Sequence, residues 1–411
     1  MIGFNRYKKK LGGTGLKAQL VRGLLGVGWL KILSMPLALS TSVILARFLG
    51  PEGYGQYVFV FSLIGFLALP VGPGPGQLIT REVAKFHHDR AWDYFSGIIR
   101  RSFQWVFFSS LIMMTVILVV AISYAEWQPE NRWALVVFAS FLIPLLGVNT
   151  IRANVLRGLR FVVLAQLPTL MVRPGLHLLF VGGFLAIGIL TPLSAILSQV
   201  VATAVAVLIG TVLALDRIPL EVKRSPPRYH DKFWLSAIVP LSLLVLVGTL
   251  NGQIGIISLG LLVGDEDVAN MQVALSASIL IAFPLSIVNL VIGPYVTGAM
   301  KENDTPRIRS LSVYSSFIAI MAASPIAIPL IVWGEEVVGL VYGQDYIAGA
   351  INPLMILCIG QIFNVVFGSV GVFLTMTGHE RDTLSGQLFA AAINVSLCFA
   401  LVPAMGATGA A

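Results

Sequence analysis

The sequence predicts an all-α integral membrane protein of about twelve transmembrane helices, and three observations lead there. Of its 411 residues, 57% are hydrophobic and only 11% are charged, and the mean hydropathy is +0.88. A soluble domain carries about 25% charged residues, so a water-soluble chain of this length would lack the charge to cover its surface. The apolar residues come in runs of about twenty, the length that a helix needs to cross a hydrocarbon core. These runs are continuous and do not alternate with a period of two. That selects helices over the closed barrel, the other fold that satisfies its backbone in lipid.

Spans are expected near 25–48, 56–78, 102–124, 133–152, 162–190, 192–215, 236–262, 268–298, 311–333, 350–376 and 384–404. The first follows a basic stretch (Arg6, Lys8, Lys9, Lys10, Lys17, Arg22). It has full spanning length and no small-residue cleavage site, so it is not a cleavable signal. The second ends in the breakers Gly72, Pro73, Gly74, Pro75 and Gly76, and the fifth is interrupted at Arg173, Pro174 and Gly175. A proline frees a carbonyl one turn earlier, so each site is either a hinge or cavity wall, or an ordinary kink. A twelfth span would begin near Gly406, and residues 403–411 read as a loop entering a helix that is cut short.

Loop charge alternates. Basic loops hold Arg81, Lys85, Arg90, Arg100 and Arg101, then Arg157 and Arg160, then Arg217, Lys223, Arg224, Arg228 and Lys232, then Lys301, Arg307 and Arg309. The intervening loops are acidic, with Glu126 and Glu130, then Asp265, Glu266 and Asp267, then Glu335, Glu336 and Asp345. The positive-inside rule therefore places the N-terminus of this multi-pass inner-membrane protein in the cytoplasm. The net charge of +8 is this loop bias, and no folded basic domain is present to bind nucleic acid. Cys358 and Cys398 lie in apolar runs and read as inert core, with neither a disulfide framework nor a metal site.

The segment 216–232, with Pro219, Pro226 and Pro227, reads as a cytoplasmic linker between an N-terminal lobe, 1–215, and a C-terminal lobe, 233–411. An ungapped offset of 214 residues supports a duplication. It pairs Leu45 with Leu259, Gly50 with Gly264, Glu52 with Glu266, Ser62 with Ser276, Ala68 with Ala282 and Pro70 with Pro284. Six spans per half keep both repeats in one orientation, as in transporters whose lobes rock about an axis along the membrane normal.

Three cations lie in or at the ends of spans. Arg173 is eleven residues into the fifth, about 16 Å deep, where a charge costs at least ~2.5 kcal/mol. It is expected to face a wet cavity or an anion. Lys31 and Arg47 have an interface within snorkelling reach. His177, one turn beyond Arg173, either shares that cavity or is a satisfied buried histidine. The amides Gln166, Gln199, Asn251, Gln253, Asn270, Gln272, Asn289, Gln361, Asn364 and Asn394 either join helices or line a polar cavity. No Asp or Glu lies in the body of any expected span. That suits an anionic, sugar-bearing substrate better than a cationic drug.

Nothing points to catalysis or to a cofactor. The chain has no phosphate-binding loop signature, no zinc-protease motif and no cysteine pair at ligand spacing. His87, His88, His177, His230 and His379 are scattered, and the longest internal loop has only about twenty residues.

Residues 45–57 (LARFLGPEGYGQY) resemble the first outer loop of the polysaccharide flippases of the multidrug/oligosaccharidyl-lipid/polysaccharide exporter superfamily. Residues 80–84 (TREVA), 156–160 (LRGLR) and 341–346 (VYGQDY) are similar to the family's segments after spans two, four and nine. Asn394 with 403–411 (PAMGATGAA) is similar to its junction of spans eleven and twelve. The resemblance covers nearly the whole chain. The glycine–proline run at 72–76 is richer in breakers than the family pattern. The resemblance implies two six-helix lobes around a central cavity. It implies transport of undecaprenyl-pyrophosphate-linked oligosaccharide from the cytoplasmic to the outer leaflet for surface polysaccharide synthesis. Implied partners are membrane lipids and a glycan polymerase or glycosyltransferases of the same pathway. Arg173, Lys31 and Arg47 are the candidates to meet the pyrophosphate or acidic sugars. His177, Gln166, Gln199, Asn251, Gln253 and Asn364 are the polar cavity candidates. Three other readings stay open: a cation-coupled multidrug exporter, a peptidoglycan-precursor flippase and a non-transporting membrane scaffold.

Overall fold

The computed structural model describes residues 16–125, 132–302, 304–376 and 380–411. Arg6, Lys8, Lys9, Lys10, Glu126, Glu130 and His379 fall outside them. The described residues are helical almost throughout and include no strand. Among them, ten helical stretches are long and apolar enough to cross a membrane. The first holds two spans. Gly50 (φ 69°, ψ 177°) leaves the helical region inside Leu16–Leu67, and the Ser42 and Tyr54 hydroxyls meet at 2.7 Å. A straight helix would hold those residues about 18 Å apart, so the chain folds back at Gly50. The positive φ favours glycine there. Eleven spans result, in the order read from the sequence.

Span nine (Thr305–Val332) shows why these helices assemble. Val313, Phe317 and Met321 recur every four residues on one face and are exposed. Ser315, Ala319, Ala323 and Ala327 recur on another face and are buried. Large side chains meet lipid, and small ones let neighbouring backbones approach.

Three local features differ from expectation. The segment 79–101 is not a loop. It comprises most of a helix, Pro73–Asp89, and the start of Trp92–Ala125. The latter has 34 residues, about 51 Å of helix against a hydrocarbon core of about 30 Å, so its charged first turns stand beyond the lipid. Span two is helical only to Leu67, turns through 68–72 and resumes at Pro73. A proline at the start of a helix lacks an N–H that would have no partner there anyway. Span five is not interrupted at Pro174. It runs from Val162 to Ala186 through a π-helical turn, Pro168–Val172, where the Arg173 N–H donates to the Pro168 carbonyl. The wider turn gives the Pro174 ring the room that a regular α-helix denies it.

Gly264 separates Asp231–Leu262 from Asp265–Lys301, spans seven and eight, at the position that Gly50 holds between spans one and two. The paired prolines diverge, because Pro70 lies in the break of span two while Pro284 lies inside the unbroken span eight.

The end of the bundle bearing the acidic loops is closed by bonds between the halves. Arg132 pairs with Asp265 (3.2 Å), donates to the Gly260 carbonyl (2.7 Å) and stacks on Phe59 (3.8 Å). The Tyr346 hydroxyl donates to the Ala46 carbonyl (2.8 Å). Within the C-terminal half, Asp267 accepts from the Ala407 N–H (2.8 Å), capping the last helical turn, Ala407–Ala410. At the basic end Arg101 pairs with Asp231 (2.5 Å). Tyr346→Phe removes one closing bond of about 1 kcal/mol. It is expected to raise labelling of a cysteine placed at Ser276, by a water-soluble thiol reagent added on the acidic side, about fivefold. Unchanged labelling would show that this hydroxyl does not help to hold the end shut.

Candidate functional site

Spans one, two, five, six, seven and eight enclose a cavity of about 400 Å³. Span five supplies Arg173, Pro174 and His177. Arg173 and His177 are four residues apart and so share a face. Span two supplies Tyr54, Tyr57, Phe61 and Ser62. The Tyr57 ring stacks on Phe61 (6.2 Å) and on His177 (6.1 Å), which fixes the imidazole against the wall. His177 is buried, and its Nε2 has no hydrogen-bond partner. Gln199, Gln253 and Gln272 bring amides from spans six, seven and eight, and Gln272 donates to Ser276 (3.1 Å). Among the described residues none forms an ion pair or hydrogen bond with the Arg173 guanidinium, and no Asp or Glu lines the cavity. An unpaired guanidinium away from bulk water is costly, and an anion with several acceptor oxygens relieves that cost.

Six of the expected residues therefore meet in one cavity: Arg173, Pro174, His177, Gln199, Gln253 and Gln272. Lys31 does not line it; it is half-buried one turn before Met35, which does. Arg47 is a correction. Its guanidinium donates to the Val341 (2.7 Å) and Leu340 carbonyls at the acidic end, outside the cavity wall. Those carbonyls come from the end of a helix in the other half, so no hydropathy pattern around Arg47 reports them. Asn251 also lies outside the wall. It donates to the Gln387 carbonyl (3.4 Å) and accepts from Asn394 (3.3 Å), joining spans seven and eleven. Asn364 is exposed and bonded to Gln361 (3.2 Å), again away from the cavity. Gln166 lines a second, smaller cavity. Gly76 allows close packing of its helix on span four, where a Cβ would stand 2.6 Å from Asn154 Nδ2.

Sequence reasoning missed Ser42, Tyr54, Tyr57, Ser62 and Ser276. The signal was present in part, because the 214-residue offset pairs Ser62 with Ser276 and both line the cavity.

The fold defines the class: an all-α, multi-pass membrane protein with the architecture of the MOP superfamily transporters. The chain belongs to the polysaccharide biosynthesis protein family, whose sequence profile matches residues 20–300. Among solved structures it is similar to an inward-facing multidrug resistance MATE family transporter of the MOP superfamily. That match has a TM-score of 0.71 at 16% identity and covers 92% of this chain and 89% of the other. It is similar to the lipid II flippase MurJ in an inward closed conformation, with a TM-score of 0.69 at 14% identity, covering 93% and 82%. It is also similar to a MOP superfamily transporter from Pyrococcus furiosus, with a TM-score of 0.65 at 16% identity, covering 97% and 92%. No curated protein matches the chain.

Proposed function

We propose that this protein moves a lipid-linked oligosaccharide, carried on undecaprenyl pyrophosphate, from the cytoplasmic to the outer leaflet of a bacterial inner membrane. The basic end and the N-terminus face the cytoplasm. The observation that carries the reading is Arg173, which among the described residues has no ion-pair or hydrogen-bond partner and lies in a cavity whose wall joins hydroxyls, amides and aromatic rings to aliphatic side chains, with no carboxylate among them. Pyrophosphate has no tolerable path through hydrocarbon unpaired, and Arg173 offers it a bidentate partner. The hydroxyls and amides suit the glycan, while the lipid tail stays in the bilayer. The lobes 1–215 and 233–411 rock about the cavity, with 216–232 as the cytoplasmic linker and the break at 68–72 as a hinge. The bonds that close the acidic end support an inward-facing state. Family membership supports a place beside glycosyltransferases and a glycan polymerase.

The test is the fate of lipid-linked glycan in a deletion strain. Loss of surface polysaccharide with intact, accumulated precursor, restored by the wild-type gene, is the expected result. Normal glycan and an unchanged precursor pool, with redundant flippases removed, would overturn the reading. Cation-coupled drug export is the competing assignment, and the carboxylate-free wall counts against it.

A further inference from the structure

We infer that the protein has a second anion-binding pocket, built around Arg157 of span four with Arg152 packed behind its wall, that takes a phosphate or pyrophosphate group. A cavity of about 300 Å³ is lined by Gln77, Asn149, Asn154, Arg157, Gln166 and Thr169, among others, and by no Asp or Glu. Beside it Arg152 is 3% exposed. Its guanidinium donates to the Ala165 carbonyl (3.3 Å), to the Thr169 hydroxyl (3.3 Å) and to the Asn149 side-chain oxygen, and its Nε has no partner. Arg157 is half-buried and donates to Asn154 (3.2 Å). Every acceptor on these two guanidiniums is neutral. With Arg157 in the wall, Arg152 behind it and no carboxylate on either among the described residues, the pocket favours a multiply charged oxyanion.

The pocket is shaped for this. A Cβ on Gly210 of span six would stand 2.3 Å from Arg152 Nε, so the glycine makes room for the guanidinium. Gly76, at the end of the breaker run, brings the 73–89 helix and Gln77 up to Asn154. Thr169 lies in the π turn of span five, a distortion frequent at functional sites.

The position gives the pocket a role, which rests on the transport reading above. Gln166, Thr169, Arg173 and His177 follow one another along span five at intervals of three, four and four residues. The first two line the pocket and the last two the central cavity. Val245 of span seven borders the pocket, so it opens toward the junction of the halves. A headgroup arriving from the basic end meets Arg157 first and passes to Arg173 along one helix.

The test uses the full chain in nanodiscs with inorganic pyrophosphate as the probe and calorimetry as the readout. Arg173→Gln protein is expected still to bind pyrophosphate. Adding Arg157→Gln is expected to weaken that binding about tenfold, and Thr169→Val to weaken it further. Arg157 is chosen because it lines the cavity, whereas Arg152 is packed against Gly210 behind the wall. Lys85→Gln, which removes an exposed charge of the 73–89 helix outside the pocket wall, is expected to leave binding unchanged. The pocket is overturned if Arg173→Gln protein binds no pyrophosphate, or if Arg157→Gln with Thr169→Val binds as tightly as the protein without them. Farnesyl pyrophosphate binding as tightly as the inorganic ion would assign the pocket to a lipid headgroup. Binding of the inorganic ion alone would assign it to a free phosphate. The transport reading fails on a different measurement, surface glycan in the deletion strain, whatever the pocket binds.

Discussion

Arg173→Ala is expected to cut surface-glycan export about a hundredfold while leaving the amount of protein in the membrane unchanged. The size follows from removing one partner of a desolvated ion pair, which costs about 3 kcal/mol. The second half of the expectation is as informative as the first. Among the described residues Arg173 forms no hydrogen bond or ion pair that holds span five to its neighbours, so on the transport reading its loss would remove substrate contact while leaving those bonds intact. Arg173→Lys keeps the charge and loses the planar fork, and should recover part of the export. Both variants are read by surface polysaccharide together with the cytoplasm-facing precursor pool. Wild-type export from the alanine variant would take Arg173 out of the mechanism and leave the cavity's hydroxyls and amides as the remaining candidates.

Gly55→Val is expected to hold the acidic end open. A Cβ at this position would stand 1.7 Å from the Asp265 backbone oxygen, and a backbone atom cannot swing aside as a side chain can. Valine therefore pushes span two from the start of span eight, and the Arg132 contacts with Asp265 and Phe59 stretch with it. Overpacking of this kind costs about 1–3 kcal/mol. Here the strain bears on the closed state more than on the fold, because the contact joins the two halves and not neighbours within one. A cysteine at Ser276 should become labelled from the acidic side at least tenfold faster, and export should fall because the return to the closed state is impeded. Labelling no faster than in the wild type would mean that this close approach is not what seals the end. Tyr346→Phe acts on the same closure by a smaller amount. Arg47 also bridges the halves at that end, through the Val341 and Leu340 carbonyls.

Span positions were legible because the bilayer imposes them. A helix in lipid needs about twenty apolar residues whatever its neighbours do, so hydropathy along the chain was enough to place eleven spans in order. Arg173 was legible for a related reason, since a guanidinium in the middle of an apolar run must have a wet or charged neighbour. Arg47 shows the limit of that argument. Both residues are arginines in apolar surroundings, and only the carbonyls of Leu340 and Val341, almost three hundred positions away in the chain, separate their roles. Asn251 and Gln253 make the same point two residues apart. One joins span seven to span eleven and the other faces the cavity, because a helix turns about 200° in two residues.

The sequence by itself determined that this is a helical membrane protein, where its spans lie, how loop charge alternates and that an arginine lies deep in the fifth span. Each of these depends on the average surroundings of one segment, lipid or water, which composition reports. Tertiary structure alone decided which polar residues meet. It placed Tyr57 against His177, brought Arg157 and Gln166 into the wall of a second cavity, and built a π turn where the sequence showed only a proline. Cavity membership depends on how each helix is rotated and how closely its neighbours approach. Contacts such as Gly55 against Asp265 and Gly210 against Arg152 set that geometry, and they join residues that no local pattern connects.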